Sequence, residues 1–370
     1  MKKAYRALWI LTQAPGLNWY RCINFGKYMD IDTAYWPSDK LDVLPNWEDV
    51  LSNRKETIYE MEKEVGKANI IISQRVSTVR GLATLMGIRD KLNKKLYLEI
   101  DDDVFNVDSF NPGYSSVYPG SNAEFVFRRQ LEESDGVIVS TEQLKKEYKQ
   151  YNKKIFVVKN CVDFSVWDKL AGHKDKNKKI KIGWQGASHH FDDLKLLTSV
   201  VPKILKKYKK KVEFHFMGLL PDFLKQDGVK FHMPVNIDKY PQTIKNLGID
   251  IMLAPLFDTK FNRAKSNLRI LEAGALKLPV IASGNKSLPY AKTIENSEDG
   301  VLATKVEEWI DAISFLIENE KERKRLGKNL YNKVKKDYNI IDTAKAYEKL
   351  LVGRKKCQTL KKCIPGSKTT

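Results

Sequence analysis

Cysteine is scarce in this chain: Cys22, Cys161, Cys357 and Cys363 are the four in 370 residues. No two form a CxxC pair and no histidine stands at zinc-ligand spacing from them. That excludes a disulfide framework and a zinc ribbon, and it points to a reduced, cytoplasmic setting. Long apolar runs are missing as well, since nothing approaches the ~20 apolar residues of a membrane-spanning helix. The N-terminal MKKAYRALWILTQAPG holds a short apolar run that ends at Pro15-Gly16. It is too short for a signal peptide and reads as a first core strand. Acidic residues are in deficit: 46 Asp plus Glu face 65 Lys plus Arg, for a net charge of +19. Such an imbalance calls for an acidic partner, whether nucleic acid, an anionic membrane surface or a phosphorylated substrate.

What is present is alternation. ALWILT (7–12), IDTAYW (31–36), NIIIS (69–73), LYLEI (96–100), GVIVS (136–140) and IFVV (155–158) read as strands. Helical patterns lie between them, from about Asn18 to Met29, Trp47 to Val65, 78–93 and 141–150. Continuous β-branched runs alternating with helices predict βαβ units and a parallel sheet buried on both faces. The charged stretch 166–179 breaks the pattern and is expected to be a linker. The alternation then restarts with IKIGW (180–184), VEFHFMG (212–218), VKFHM (229–233), DIMLAPL (250–256), LPVIAS (278–283) and GVLA (300–303). Helices are expected near 191–208, 238–247, 305–318, 320–335 and 342–352. The expectation is an α/β chain of two doubly wound domains, 1–165 and 180–338, facing each other across a cleft. A C-terminal helix (339–352) and a basic tail (353–370) follow.

Ligands of open α/β sheets bind beyond the carboxyl ends of the strands, where helix N-termini attract phosphate. Four turns qualify. TQAPGLNWYR (12–21) offers Gly16 in a tight turn, beside a ligand or simply in a βα turn. GWQGASHHFDDL (183–194) offers Gly183, Gly186, Ser188, His189 and His190, then Asp192 and Asp193 in the first turn of a helix. Its bland reading is an ordinary helix start. FNRAKSN (261–267) precedes the helix of KSNLRILEAGALKLPVIAS (265–283). Ser266 or Asn267 can cap that helix, and Arg263 and Lys265 put charge where a diphosphate would meet it. Glu272 sits inside this nearly apolar helix. It is either a surface ion-pair partner of Arg269 or a carboxylate for a ribose diol. LEIDDDVFNVDSFNPG (98–113) ends a strand with Asp101, Asp102 and Asp103. That triplet suits acceptor binding and acid/base work, a DxD-type metal site, or a solvated acidic turn.

In this order the segments resemble those of the GT-B glycosyltransferases, specifically the retaining family-4-like group and its bacterial and phage variants. VVKNCVDFSVW (157–167) is similar to that group's "PNGVD" segment. VEFHFMG resembles its strand-Gly before the base site, and ILEAGALKLPVIAS its "EAMA-x-G-x-PVIAS" signature. The resemblance covers about residues 5 to 350 and implies that Glu272 is the ribose-binding glutamate. Ala264 stands where the group carries a second Glu, Cys161 where "NGVD" has Gly, and the acceptor-side histidine is missing.

The resemblance implies transfer of a sugar from a nucleoside-diphosphate-sugar, with retention and with no metal or other cofactor. Donor binding falls to Gly16, Gly186, Ser188, His189, Arg263, Lys265, Ser266, Asn267 and Glu272, and the reacting centre to Asp102 and Asp103. The expected acceptor is a cell-surface glycan or lipid-linked sugar. A phage-type enzyme acting on DNA, with Arg128, Arg129 and Lys159 at the rim, is one alternative. A non-catalytic nucleotide- or glycan-binding protein is the other. The basic runs 145–154 and 206–211 are expected at helix C-termini, where they suit the dipole or a peripheral contact with an anionic inner membrane face.

Overall fold

Apolar runs without polar alternation can bury both faces only between two layers of helices, and they fold here as parallel strands. A computed structural model describes residues 5–12, 14–37, 55–109, 111–172 and 179–353. The start of the helix expected from Trp47, part of the expected linker (173–178) and the tail with Cys357 and Cys363 lie outside the described residues. The chain divides into two units. Met1–Asp101, Gly120–Lys159 and Ile340–Thr370 form the first, and Asp102–Pro119 and Asn160–Asn339 the second.

In the first unit six parallel strands run in the order β2-β1-β3-β4-β5-β6. They are β1 Arg6–Ile10, β2 Asp32–Trp36, β3 Ile70–Gln74, β4 Lys95–Ile100, β5 Gly136–Val139 and β6 Ile155–Val157. Strand β1 pairs Ala7 with Ile70 on one side and Ile10 with Trp36 on the other. The turn expected at Pro15-Gly16 is instead the first turn of a helix, Pro15–Asn18, that continues through a π-type turn, Trp19–Ile23. Proline suits that position because its missing N–H would have no intrahelical partner. From this helix Arg21 donates from Nε to Glu99 Oε1 at 2.6 Å and from Nη1 to the Val158 carbonyl at 2.6 Å. Both side chains are fully buried, and burial pushes the Glu99 carboxyl up while Arg21 opposes it. The helix Asn122–Glu133, capped by Ser121, is absent from the sequence reading.

The C-terminal helix Ile340–Val352 belongs to this first unit and not to an independent element. Tyr347 places its ring edge-on to Trp9 and Phe25, at 6.3 and 5.6 Å. The Tyr5 hydroxyl donates to the Leu351 carbonyl at 2.9 Å. The sequence pattern shows an amphipathic helix but not which core its apolar face joins.

In the second unit the order is β12-β11-β10-β7-β8-β9, again all parallel. The strands are β7 Ile180–Gln185, β8 Val212–Met217, β9 Val229–His232, β10 Ile251–Ala254, β11 Val280–Ser283 and β12 Val301–Ala303. Alternate residues serve two cores. Ile251, Leu253 and Ile281 join Trp184, Phe214, Phe216 and the helices Val200–Tyr208 and Val306–Glu318. Met252, Ala254, Val280 and Ala282 join the helices Leu268–Ala275 and Glu320–Asp337. The long helix expected near 191–208 is shorter: two 3-10 turns, Ser188–His190 and Asp193–Leu197, precede Val200–Tyr208.

The helix carrying Glu272 ends in a left-handed Lys277 with φ of 60°. There the N–H groups of Lys277 and Leu278 donate back to Gly274 and Ala273 at 2.9 Å, satisfying the last carbonyls. Gly327, on the helix Glu320–Asp337, lies so close that a Cβ would overlap the Lys277 carbonyl. Backbone cannot give way as a side chain can. Gly327→Ala is therefore expected to lower the unfolding free energy by about 1–3 kcal/mol in urea melts. Gly87→Ala, on the helix Val79–Lys91 with nothing within 4 Å of a new Cβ, is expected to raise it by about 0.5–1 kcal/mol.

Candidate functional site

A doubly wound sheet opens a crevice where its strand order reverses, because the connections on either side leave in opposite directions. In the second unit that reversal falls between β7 and β10. The turn after β7 carries Gly186, Ser188 and His189. The turn after β10 carries Arg263, Lys265, Ser266 and Asn267 and leads into the helix Leu268–Ala275 with Glu272. Topology alone brings these two predicted segments side by side.

One carboxylate ties them. Asp193, from the β7 turn, accepts at Oδ1 from the Phe257 N–H and Asn262 Nδ2, both at 2.9 Å, across the reversal. Its Oδ2 stands 2.7 Å from His190 Nδ1. Burial pushes the Asp193 carboxyl up to about 6 against the pull of these donors and of Lys265 and Arg269. His190 is held well below 6.5 by burial first, then by Arg269, Lys265 and His189, so it is neutral at physiological pH.

The cations come next. Arg269 is buried, with its guanidinium carbon 5.0 Å from the centroid of the Trp184 ring. Its Nη1 has no hydrogen-bond partner. Gly186 makes room for it, since a Cβ there would stand 2.6 Å from Arg269 Nη2 and 2.7 Å from the Trp184 ring. Lys265 Nζ lies 4.4 Å from the Phe261 ring centroid and 3.6 Å from Asp102 Oδ1. His189 is solvent-exposed. Its imidazole is lowered to about 4, by the surrounding protein first and then by Lys265, with Asp102 opposing and Arg269 adding to the effect.

Glu272 is buried at 7% exposure. Its Oε2 accepts from the Tyr240 hydroxyl at 2.9 Å and from Gln185 Nε2 at 3.4 Å. The helix that holds it also begins beside Lys265, so an anion-attracting helix start and a buried carboxylate share one short element.

Several predicted residues sit differently from their expected roles. Asn267 occupies the N-cap but its side chain does not cap. It donates to Thr293 Oγ1 at 3.1 Å. Ser266 does not cap either, because its Oγ accepts from Asn160 Nδ2 at 2.8 Å. Arg263 is half exposed and bonded to Asp258 Oδ1 at 2.6 Å, so its charge is already offset. Ser188 opens a 3-10 turn and is exposed. Of the acidic triplet, Asp102 is half exposed. Asp103 is buried and accepts from Asn106 Nδ2 at 2.8 Å. Gly16 lies in the first unit, with open space where a Cβ would go. Among the described residues no group of three or more His, Cys, Asp or Glu could hold a metal ion. No described helix is long and apolar enough to cross a membrane.

Sequence reasoning missed Arg269 as a site cation, along with Gln185 and Tyr240. Gln185 left a signal, a polar residue closing an apolar strand. Arg269 left only its place in the first turn after KSN. Tyr240 left none, because nothing local ties it to a helix 32 positions downstream.

Residues 179–319 match the family model described as Glycosyl transferases group 1. The whole fold is similar to HepE from Anabaena, crystallised with UDP and glucose: 13% identity, TM-score 0.63, over 97% of this chain and 100% of that one. It is also similar to sucrose-phosphate synthase from Thermosynechococcus elongatus, with 15% identity and TM-score 0.62 over 97% and 100%. A mutant of S. aureus TarM, in complex with fondaparinux, alpha-GlcNAc-glycerol and UDP, matches at 17% identity and TM-score 0.59 over 80% of this chain. This chain spans 58% of that TarM chain. Among curated protein sequences nothing matches it. Residues 179–319 thus carry the match to Glycosyl transferases group 1, and the chain has the two-sheet GT-B fold.

The titrating groups set a pH dependence. Unfolded His189 protonates near 6.5 and folded His189 only near 4, so the unfolded state binds more protons between those values. Stability from neutral His189 is complete above 6.5 and drains away as the pH falls towards 4. His189→Gln is expected to flatten that acid loss in melting curves taken across this range. Asp193 has the opposite sign, because its folded carboxyl takes up a proton near 6, above its ordinary 3.8. Asp193→Asn should therefore steepen the loss.

Proposed function

We propose that the chain transfers a sugar from a nucleoside-diphosphate-sugar to a hydroxyl acceptor, with retention at the anomeric carbon. The acceptor is a cell-surface glycan or lipid-linked sugar. The observation that carries this reading is the grouping of Lys265, Arg269 and Glu272 about one helix start at the strand reversal. Lys265 and Arg269 neutralise the leaving diphosphate as the C1–O bond breaks, in the place a metal would otherwise take. Glu272 accepts from the ribose hydroxyls. The acceptor oxygen bonds to C1 and its proton passes to Asp102, the half-exposed carboxylate beside Lys265. UDP in the HepE and TarM crystals and the GlcNAc-glycerol with TarM support a nucleotide donor and a glycan acceptor.

The DNA alternative loses support from pairing on the helix Asn122–Glu133. Arg128 bonds Glu124 at 2.8 Å, and Arg129 bonds Glu132 at 3.3 Å and also Glu133. The lysines of the second basic run close the helix Val200–Tyr208 and continue through Lys211. They serve the helix dipole and offer a peripheral contact to an anionic membrane.

Calorimetry with uridine, guanosine and adenosine diphosphates tests the donor site. Glu272→Ala is expected to weaken the preferred nucleotide by about tenfold or more, as for hydrogen bonds to a charged group. Arg269→Gln should weaken it by about tenfold, and Arg263→Gln by no more than about twofold, since its charge is already offset. Unchanged affinity in Glu272→Ala would refute the assignment. Incubating labelled nucleotide-sugars with cell extract, then separating lipid, polysaccharide, protein and nucleic acid, tests the acceptor. Label in lipid or polysaccharide supports the reading. Label lost on nuclease treatment makes the acceptor DNA, and tight binding without any transfer makes the protein a binding module.

A further inference from the structure

We infer that Tyr240 is a positioning residue that sets how strongly the site prefers ribose over 2′-deoxyribose, through its hydrogen bond to Glu272. The inference rests on the nucleotide-donor reading above and names what orients that site.

Three elements from distant parts of the second unit meet at one carboxylate. Glu272 comes from the helix Leu268–Ala275 and Gln185 closes β7. Tyr240 opens the helix Tyr240–Asn246, at the position before Pro241. The Tyr240 hydroxyl donates to Glu272 Oε2 at 2.9 Å, and Gln185 Nε2 approaches the same oxygen at 3.4 Å. Neither donor is loose. The Tyr240 ring stands edge-on to Trp167 at 6.4 Å, and Gln185 is 4% exposed in the strand. Gln185 Oε1 is buried with no hydrogen-bond partner, a second acceptor beside the carboxylate. Burial, then the charge of Glu272, keep the Tyr240 hydroxyl protonated, so it acts as a donor across the physiological range.

The consequence is geometric. A glutamate carboxylate has three side-chain torsions to lose when a diol binds it, and hydrogen bonds that hold one oxygen beforehand remove most of that loss. They also fix the plane of the carboxylate, so both ribose hydroxyls meet it at good angles or neither does. A ligand lacking the 2′-hydroxyl gains less from that orientation. Removing the Tyr240 hydroxyl should therefore harm the ribonucleotide and spare its deoxy counterpart. A purely structural role for Tyr240 would weaken both equally.

The experiment compares UDP with dUDP, GDP with dGDP and ADP with dADP by calorimetry on the full chain. Wild type is expected to prefer the ribonucleotide of its own base by about tenfold or more, a range a site built to bond a hydroxyl reaches readily. In Tyr240→Phe that preference should fall to about threefold, through the ribonucleotide constant, with the deoxy constant within about twofold of wild type. If the variant does not fold, Gln185→Leu carries the same expectation and readout. An undiminished preference in the variant, or a tighter ribonucleotide, overturns the inference and makes Tyr240 a stand-in that the ligand displaces. Absence of any ribose preference, or of any nucleotide binding, in the wild type overturns the Glu272 reading itself.

Discussion

The second unit's site depends on the carboxylate of Asp193. One oxygen holds the backbone and side chain of the β10 turn, through Phe257 and Asn262, and the other faces His190 in the β7 turn. An ionised carboxylate this deep is expensive unless donors surround it. The donors here all belong to the two loops that must be held together. If the β7 loop moved, the pocket for Arg269 over Trp184 would move with it. If the β10 loop moved, Lys265 and the start of the Glu272 helix would shift. The elevated carboxyl pKa is the measure of how much desolvation this clamp tolerates.

Around the clamp the charges are arranged by subtraction. Buried His190 and the surface His189 beside it are kept neutral at physiological pH by desolvation from the surrounding protein and by Lys265 and Arg269. Arg263 is offset by Asp258. Among the described residues of these two turns and the helix they lead into, Lys265 and Arg269 are the buried cations at the reversal. Arg269 lies over an indole, where a guanidinium keeps its donors while its face is covered. A buried arginine with an unsatisfied nitrogen beside a helix start suits a ligand of opposite charge better than it suits an isolated core.

Much of the architecture was legible along the chain. NIIIS, GVIVS and LPVIAS are short continuous apolar runs, and a strand buried on both faces has no other way to read. Glu272 was legible for the complementary reason, because a lone carboxylate among Leu268, Ile270, Leu271 and Ala273 contradicts its surroundings unless something satisfies it. Less was legible where identity depends on distant neighbours. The stretch after Ser188 carries helical periodicity, yet Asp193 is drawn to Phe257 and Asn262 and the segment turns as 3-10 helix before Val200. Asn267 has the chemistry of a cap, but Thr293 takes its amide. Ser121 and Asn122–Glu133 form a capped helix whose polar, charged pattern does not stand out in the sequence beside the acidic turn.

The sequence by itself determined the alternation of elements, the two parallel sheets, and the residue types offered at the strand ends. Those follow from local rules of burial and backbone hydrogen bonding that act within a few residues. Only the tertiary structure decided that Ile340–Val352 returns to the first unit. It alone decided that Arg269 is buried over Trp184 while Arg263 pairs with Asp258 outside, and that Tyr240 reaches Glu272. Each of these depends on which side chain a neighbour from another part of the chain leaves room for. Packing is a property of the assembled core, and no window of the sequence contains it.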